Sequence, residues 1–367
     1  MGACADPQPR ASRTRKAEAV AASPLASNQL IHSAPTAFRV AAAPRRAPFG
    51  TVAHPLPIII DSDPGLDDAL AIALAVARPE LNLLAVTTVG GNADVRHCTL
   101  NALRLLHAYG RSDIPVAEGA AGPVLGEIVR ATEVHGETGI GNTRLEPSPV
   151  AVQREGAVAL MARLLHEHAQ PITIVPIGPL TNIALLLKLH PELAPRIAHV
   201  CLMGGSIGEG NATVSGEFNI YADPEAADIV FRSGVPITMI GLDVTHQALL
   251  DRGSVAALQA LGRTSARIAA ELTAYALDRN LEWSGSATTA IHDAVAVAHL
   301  VIPGLVAVAP YHVAVDTSAG PCRGRTVCDG LPRRLARNGQ AATTDVGIHI
   351  DRPRFERLLL DAFSSLP

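Results

Sequence analysis

Four carboxylates fall within eight residues, Asp61-Ser62-Asp63-Pro64-Gly65-Leu66-Asp67-Asp68, directly after the apolar run Ile58-Ile59-Ile60. A β-branched run ending in Pro-Gly and leading into Ala69-Leu70-Ala71-Ile72-Ala73-Leu74 predicts strand, tight turn and helix. Acids crowded at the carboxyl end of a strand repel one another unless a cation sits among them. Such strand ends are where open α/β sheets bind ligands. Oxygen donors at this density favour Ca2+ or Mg2+ over zinc. An isolated acidic turn would read as a solvated helix cap, since Asp67 and Asp68 suit the positive end of a helix dipole. Four acids directly behind a core strand favour the metal.

Two further segments carry polar chemistry. Gly210-Asn211-Ala212-Thr213 and Gly216-Glu217-Phe218-Asn219 place Asn, Glu and Asn on a loop, a set suited to a polyhydroxylated ligand. Ala290-Ile291-His292-Asp293-Ala294 sets a His and an Asp side by side at the start of a predicted helix. Taken alone, His292 reads as an ordinary capping histidine and Glu217 and Asn219 as solvated loop residues.

Residues so far apart need a scaffold that brings them together. From residue 56 onward short apolar runs alternate with helical patterns, which predicts an α/β fold: an open, mainly parallel, Rossmann-like sheet flanked by helices. Expected strands are Leu56–Ile60, Leu83–Thr88, Ile172–Ile177, His199–Met203, Ile237–Gly241, Val313–Asp316 and Thr344–Ile350. Expected helices are Leu66–Ala77, Val95–Ala108, Glu155–His168, Thr181–Lys188, Pro224–Arg232, Thr264–Leu281, Asp293–His299 and Arg354–Phe363. Segment 118–150 reads as a long loop and 318–342 as a second loop or hairpin. Turn-forming text follows several strands, as in Val89-Gly90-Gly91-Asn92, Gly178-Pro179-Leu180, Gly204-Gly205 and Leu242-Asp243-Val244-Thr245-His246. The carboxyl ends of parallel strands share one edge, so these turns are expected to build a single cleft beside the Asp61–Asp68 loop.

At 367 residues and 48% hydrophobic the chain can bury a large core, and at 3% aromatic it must pack with Ala, Val, Leu and Ile. No apolar run reaches the roughly 20 residues of a membrane span, so no membrane partner is expected. Residues 1–55 carry seven basic side chains against Asp6 and Glu18, which leaves the rest more acidic than the overall charge of −4. An acidic body is a poor partner for phosphate backbones, which excludes nucleic acid. Residues 1–55 are rich in Ala, Arg, Pro and Ser without hydrophobic periodicity and read as a disordered extension, with a targeting segment or a mispredicted start as the alternatives. Residues 56–367 read as one domain. Five scattered cysteines argue against a disulfide scaffold and for a reducing, cytoplasmic setting.

Taken together the blocks resemble the nucleoside hydrolases, calcium-dependent N-ribohydrolases of inosine, uridine and related nucleosides. The matching text is Asp61–Ala69, Val89–Asn92, His135-Gly136-Glu137-Thr138-Gly139, Pro176–Asn182, Leu202–Gly205, Gly210–Thr213 with Glu217–Asn219, Asp223–Ala226, Gly241–His246 and His292-Asp293. The resemblance implies that Asp63, Asp68, Asp293 and the main-chain oxygen of Ile177 bind one Ca2+. It implies that Asp67, Asn92, Asn211, Glu217 and Asn219 hold ribose hydroxyls and water, with Met203 against the sugar and Phe218 among the substrate contacts. Asp63 would be the general base toward a water activated by Ca2+, His292 the candidate leaving-group acid, and His135 a contact to the base. It implies a small-molecule nucleoside substrate, a role in ribonucleoside salvage and catabolism, and a homodimer or homotetramer. Family members that prefer inosine and uridine place Tyr and Arg where this chain has Asn280 and Ser284, which leaves base preference open. Trp283 reads as a core aromatic. Two other readings stand beside this one: a non-catalytic ribose- or calcium-binding protein on the same fold, and a Mg2+-dependent phosphatase of haloacid-dehalogenase type, against which Gly65 counts.

Overall fold

Ile58, Ile59 and Ile60 are wholly buried, Ile58 and Ile60 in one core and Ile59 in the other, as a strand covered on both faces demands. In the computed structural model, which describes residues 54–367, they lie in β1 (Leu56–Ser62). There follow α1 (Asp68–Ala77), β2 (Leu81–Thr88), α2 (Val95–Ala108), β3 (Val116–Glu118), α3 (Thr132–His135), α4 (Ala157–Glu167), β4 (Ile172–Pro176), α5 (Thr181–Leu189) and β5 (Ile197–Met203). The chain continues through α6 (Phe218–Ala222), α7 (Pro224–Phe231), β6 (Ile237–Ile240), α8 (Leu242–Thr245), β7 (Leu249–Leu250), α9 (Arg252–Ala260), α10 (Thr264–Ser284) and β8 (Thr289–Ala290). It ends with α11 (Asp293–Val301), β9 (Val306–Val315), β10 (Thr326–Asp329), α12 (Pro332–Arg337), β11 (Thr344–Ile350) and α13 (Arg352–Ser365). Apart from its last two residues, the expected extension over 1–55 lies outside the described residues, as does Cys4. No described helix is long and apolar enough to cross a membrane.

The main sheet has nine strands in the order β10-β9-β11-β6-β5-β4-β1-β2-β3. Seven of them, β3 to β11 in that order, are mutually parallel, while β9 runs antiparallel to β11 and β10. The chain steps outward from β1 to β2 and β3, then returns so that β4 pairs with the other side of β1. Such a reversal opens a crevice at the carboxyl ends of the two central strands. Helices α1, α2, α10, α11 and α13 cover one face, with Leu70, Leu105, Leu272, Val297 and Phe355 in its core. Helices α4, α5 and α7 cover the other, with Leu160, Ile183 and Val230.

The sequence misplaced some elements. β9 starts at Val306 instead of Val313, because Pro310 interrupts the run. Proline is tolerated there because β10 pairs only with His312–Val315, so on that side an absent N–H leaves no ladder bond unmade. β3 is three residues long, too short to stand out, and segment 118–150 contains the single turn α3. α9 buries only Val255 and Leu258 and owes its start to a capping box between Asp251 and Ser254. The expected excursion over 318–342 contains β10 and α12.

Candidate active site

β1 delivers the acidic block straight into the crevice. Asp61 is fully buried, and its Oδ1 accepts from Thr87 Oγ1 (2.5 Å) and Asn182 Nδ2 (2.9 Å), bracing β1 against β2 and α5. Asp63 Oδ2 accepts from the Asn92 N–H (2.7 Å), while its Oδ1 is buried without a partner. Asp68 accepts from Ser62 Oγ (2.6 Å), Gly65 N–H (2.8 Å) and Asn92 Nδ2 (3.0 Å). Asp67 Oδ2 accepts from the His292 N–H (3.0 Å). Carboxylate oxygens of Asp67, Asp68 and Asp293 lie within 4.8 Å of one another, a group that could hold a metal ion. The sequence reading had grouped Asp63 with Asp68 and Asp293. Here Asp67 completes the tight group, and Asp63 stands beside Asp68 through Asn92, whose Nδ2 also donates to the Asp63 main-chain oxygen (3.1 Å).

Burial pushes Asp61 up to about 7. It pushes Asp68 up to about 6, with the charge of Asp67 adding to the shift. Asp63 and Asp293 are raised well above the usual carboxylate range by burial first and neighbouring carboxylates second. Buried acids this close carry full charge only with a cation among them. The donors are all oxygen, and glycines at 91 and 178 pack so closely on Asp63 that a Cβ at either would collide with its carboxylate. The Ile177 carbonyl accepts from Asn219 Nδ2 (3.1 Å), which brings β4's end and the 216–219 loop together. These residues fit a hard divalent cation.

Beside the block opens a cavity of about 550 Å³, lined by every expected site residue except the buried Asp63 and Asp68. Glu217 caps α6, accepting from Gly205, Asn219 and Ile220 N–H groups, and burial pushes it up to about 7. Asn219 Nδ2 also donates to Met203 O (3.2 Å), and Asn211 Oδ1 accepts from Phe218 N–H (2.9 Å). His135 Nδ1 accepts from Leu66 N–H (3.1 Å), which puts the ring proton on Nε2, and burial pushes its pKa down to about 4. His292 is likewise lowered by burial.

The mouth corrects one expectation. Trp283 is 51% exposed and lines the cavity at the end of α10, with the Arg279 guanidinium 4.7 Å from its ring centre. Arg279 also donates to the Glu133 carbonyl (2.8 Å), tying α10 to α3. His246, unassigned from sequence, lines the cavity with its ring 5.7 Å from that of His292. Its place directly after the β6 turn was the available signal.

Residues 58–357 match the family described as inosine-uridine preferring nucleoside hydrolase. The chain is 44% identical over 310 residues to the pyrimidine-specific ribonucleoside hydrolase RihA of Shewanella sp. (strain ANA-3), covering 84% of this chain and 96% of that one. It is 44% identical over 308 residues to RihA of Escherichia coli O9:H4 (strain HS), covering 83% and 97%. Among solved structures, the purine-preferring ribonucleoside hydrolase from Gardnerella vaginalis superposes with a TM-score of 0.78 at 34% identity, over 84% of this chain and 98% of that one. The plant nucleoside hydrolase PpNRh1 gives 0.80 at 32% identity, over 85% and 99%.

Proposed function

We propose, from the premise that this chain belongs to the inosine-uridine preferring nucleoside hydrolase family and is a ribonucleoside hydrolase, that it cleaves the N-glycosidic bond with Ca2+ held by Asp63, Asp68, Asp293 and the Ile177 main-chain oxygen. The observation that carries this reading is the buried, partnerless Oδ1 of Asp63 beside the Asp67–Asp68–Asp293 group. Bound there, Ca2+ would supply an electrophile that lowers the pKa of the attacking water and anchors ribose hydroxyls.

The chain's own residues do the rest. Asp63 takes the proton of the attacking water as general base. Asp67, Asn92, Asn211, Glu217 and Asn219 hold the ribose hydroxyls, and Met203 and Phe218 lie against the sugar. Bond cleavage builds positive charge on the ribose ring, and carboxylates and amide oxygens fixed around it stabilise that charge without reorganising. His292 gives a hydrogen bond from Nε2–H to the departing base, stabilising the negative charge that develops on it until the base takes a proton from solvent, and His135 contacts the base. Hydrolysis so described yields ribose and free base. Pyrimidine ribonucleosides are the preferred substrates in this reading, supported by the names of the relatives at 44% identity. A cytoplasmic homodimer or homotetramer belongs to the same reading and rests on family membership; sedimentation of the purified protein checks the assembly.

The test is a panel of uridine, cytidine, inosine and adenosine, with Ca2+ and with excess chelator. Release of free base from the pyrimidine nucleosides, abolished by chelator and by Asp63→Ala, is the expected result. No release from any of the four with Ca2+ present would overturn the reading.

A further inference from the structure

The turn Gly241-Leu242-Asp243-Val244-Thr245-His246 has no part in the chemistry above, yet it meets His292 directly. Thr245 Oγ1 lies 2.8 Å from His292 Nδ1. Thr245 is 0% exposed, and among the described residues its hydroxyl has no other hydrogen-bond partner. The carbonyl one helical turn back, Gly241 O, receives the N–H groups of Val244 and Thr245. A threonine hydroxyl has one proton to give, and neutral imidazole has one donor nitrogen and one acceptor. If Nδ1–H donated to Oγ1, the Thr245 proton would be buried with no acceptor, at a cost of roughly 1–3 kcal/mol. If Oγ1–H donates to Nδ1, both groups are satisfied. The ring proton then sits on Nε2, which has no protein partner, in a ring that lines the cavity.

We infer that Thr245 is a positioning residue: its hydroxyl fixes His292 in the tautomer that offers Nε2–H to the departing base. Two other contacts support the same ring. The His292 main-chain N–H is held by Asp67 Oδ2 (3.0 Å), and His246 meets the imidazole edge-on at 68°. Tautomer, main chain and ring plane are each set by a different neighbour. The inference rests on the reading of His292 as donor to the leaving group.

The test compares uridine, whose base is a poor leaving group, with p-nitrophenyl β-D-ribofuranoside, whose nitrophenolate leaves without a proton. Thr245→Val keeps the volume and removes the hydroxyl. It should cut kcat on uridine about 10²-fold, the low end of what losing one fixed hydrogen-bond donor to developing negative charge costs, and affect the nitrophenyl substrate far less. Thr245→Ser should restore most of the uridine turnover. Equal losses on both substrates, or no loss on uridine, would overturn the inference. His292→Ala tests the reading beneath it: if that variant loses both substrates alike, the donor role and the tautomer inference fall together. If His292→Ala discriminates and Thr245→Val does not, the Thr245 inference falls alone. Should Thr245→Val fail to fold, imidazole nitrogen NMR on the unmodified protein decides: a proton on Nε2 supports the inference and a proton on Nδ1 overturns it.

Discussion

A methyl group at Gly178 is a small change aimed at the carboxylate block. A Cβ there would stand 2.5 Å from Asp63 Oδ1 and 3.0 Å from both Asp63 Cγ and Val89 Cγ1. Ordinary van der Waals contact begins near 3.4 Å, so the Asp63 oxygen must retreat by about 0.9 Å. Its other oxygen is held by the Asn92 N–H, and Gly91 packs on that side. Gly178 is not among the glycines with left-handed backbone, so alanine brings no strain in φ. The atom displaced is a side-chain tip, which keeps the stability cost near ~1 kcal/mol, the low end for overpacking. Catalysis should suffer more, because a misplacement of about 1 Å costs on the order of 10²-fold, or roughly 2.7 kcal/mol in the barrier. Steady-state kinetics on uridine, calorimetric Ca2+ titration and thermal melting of Gly178→Ala measure the three effects. The expected outcome is a near-native melt with kcat/KM down about 10²-fold and weakened Ca2+ binding. Native kinetics in a variant that folds normally would refute the placement of Asp63 at the reacting water.

Other substitutions and conditions probe the remaining parts. Asp68 sits at about 6 when folded, against 3.8 for an unperturbed aspartate. A raised acid stabilises the fold below its unfolded value and loses that contribution as pH rises through the folded one. Cation binding removes the proton, so the melting-temperature gap between Ca2+-loaded and stripped protein should widen from about pH 5 to about pH 7.5; a constant gap would count against the site. Thr326 Oγ1 accepts from Ser206 N–H (2.9 Å) and donates to Ser206 O (2.6 Å), anchoring the loop that leads to Glu217. Thr326→Val should cost ~1–3 kcal/mol and raise KM more than it lowers kcat, with Thr326→Ser restoring both. Phe355, 0% exposed on α13, lies far in sequence from the reacting groups. Phe355→Ala should cost ~3–5 kcal/mol while kcat of the folded fraction stays unchanged.

The sequence was most informative where local chemistry and fold agree. Three consecutive isoleucines before an acidic Pro-Gly turn announce a doubly covered strand, and β1 is that strand. The acids behind it could be read as a cation site because no basic residue lies among them. Contacts made only by tertiary approach were hidden. Asp243 accepts from the N–H groups of Ile207 (2.6 Å) and Gly208 (3.2 Å), a brace that no spacing announces. Trp283 reads as core because tryptophan is mostly apolar surface. Its exposure depends on where α10 stops, and that is set at Gly285, whose φ of 70° ends the helix. β9 was half legible because proline suppresses a strand reading unless the pairing of its neighbours is known.

The cavity mouth and the carboxylate block rest on different supports. The block hangs from the ends of β1, β2 and β4, whereas the mouth is built from α3 and the last turns of α10, clasped by Arg279. They meet at a few joints, such as Leu66 N–H on His135 and Asn101 Nδ2, which spans Pro64 O and Thr138 O. Substitutions at Trp283 or Ser284 can therefore reshape the rim while Asp61, Asp63, Asp67 and Asp68 stay where the strand ends hold them, whereas Asn280, which donates to the Thr288 carbonyl (3.2 Å), is tied to the segment that carries Asp293.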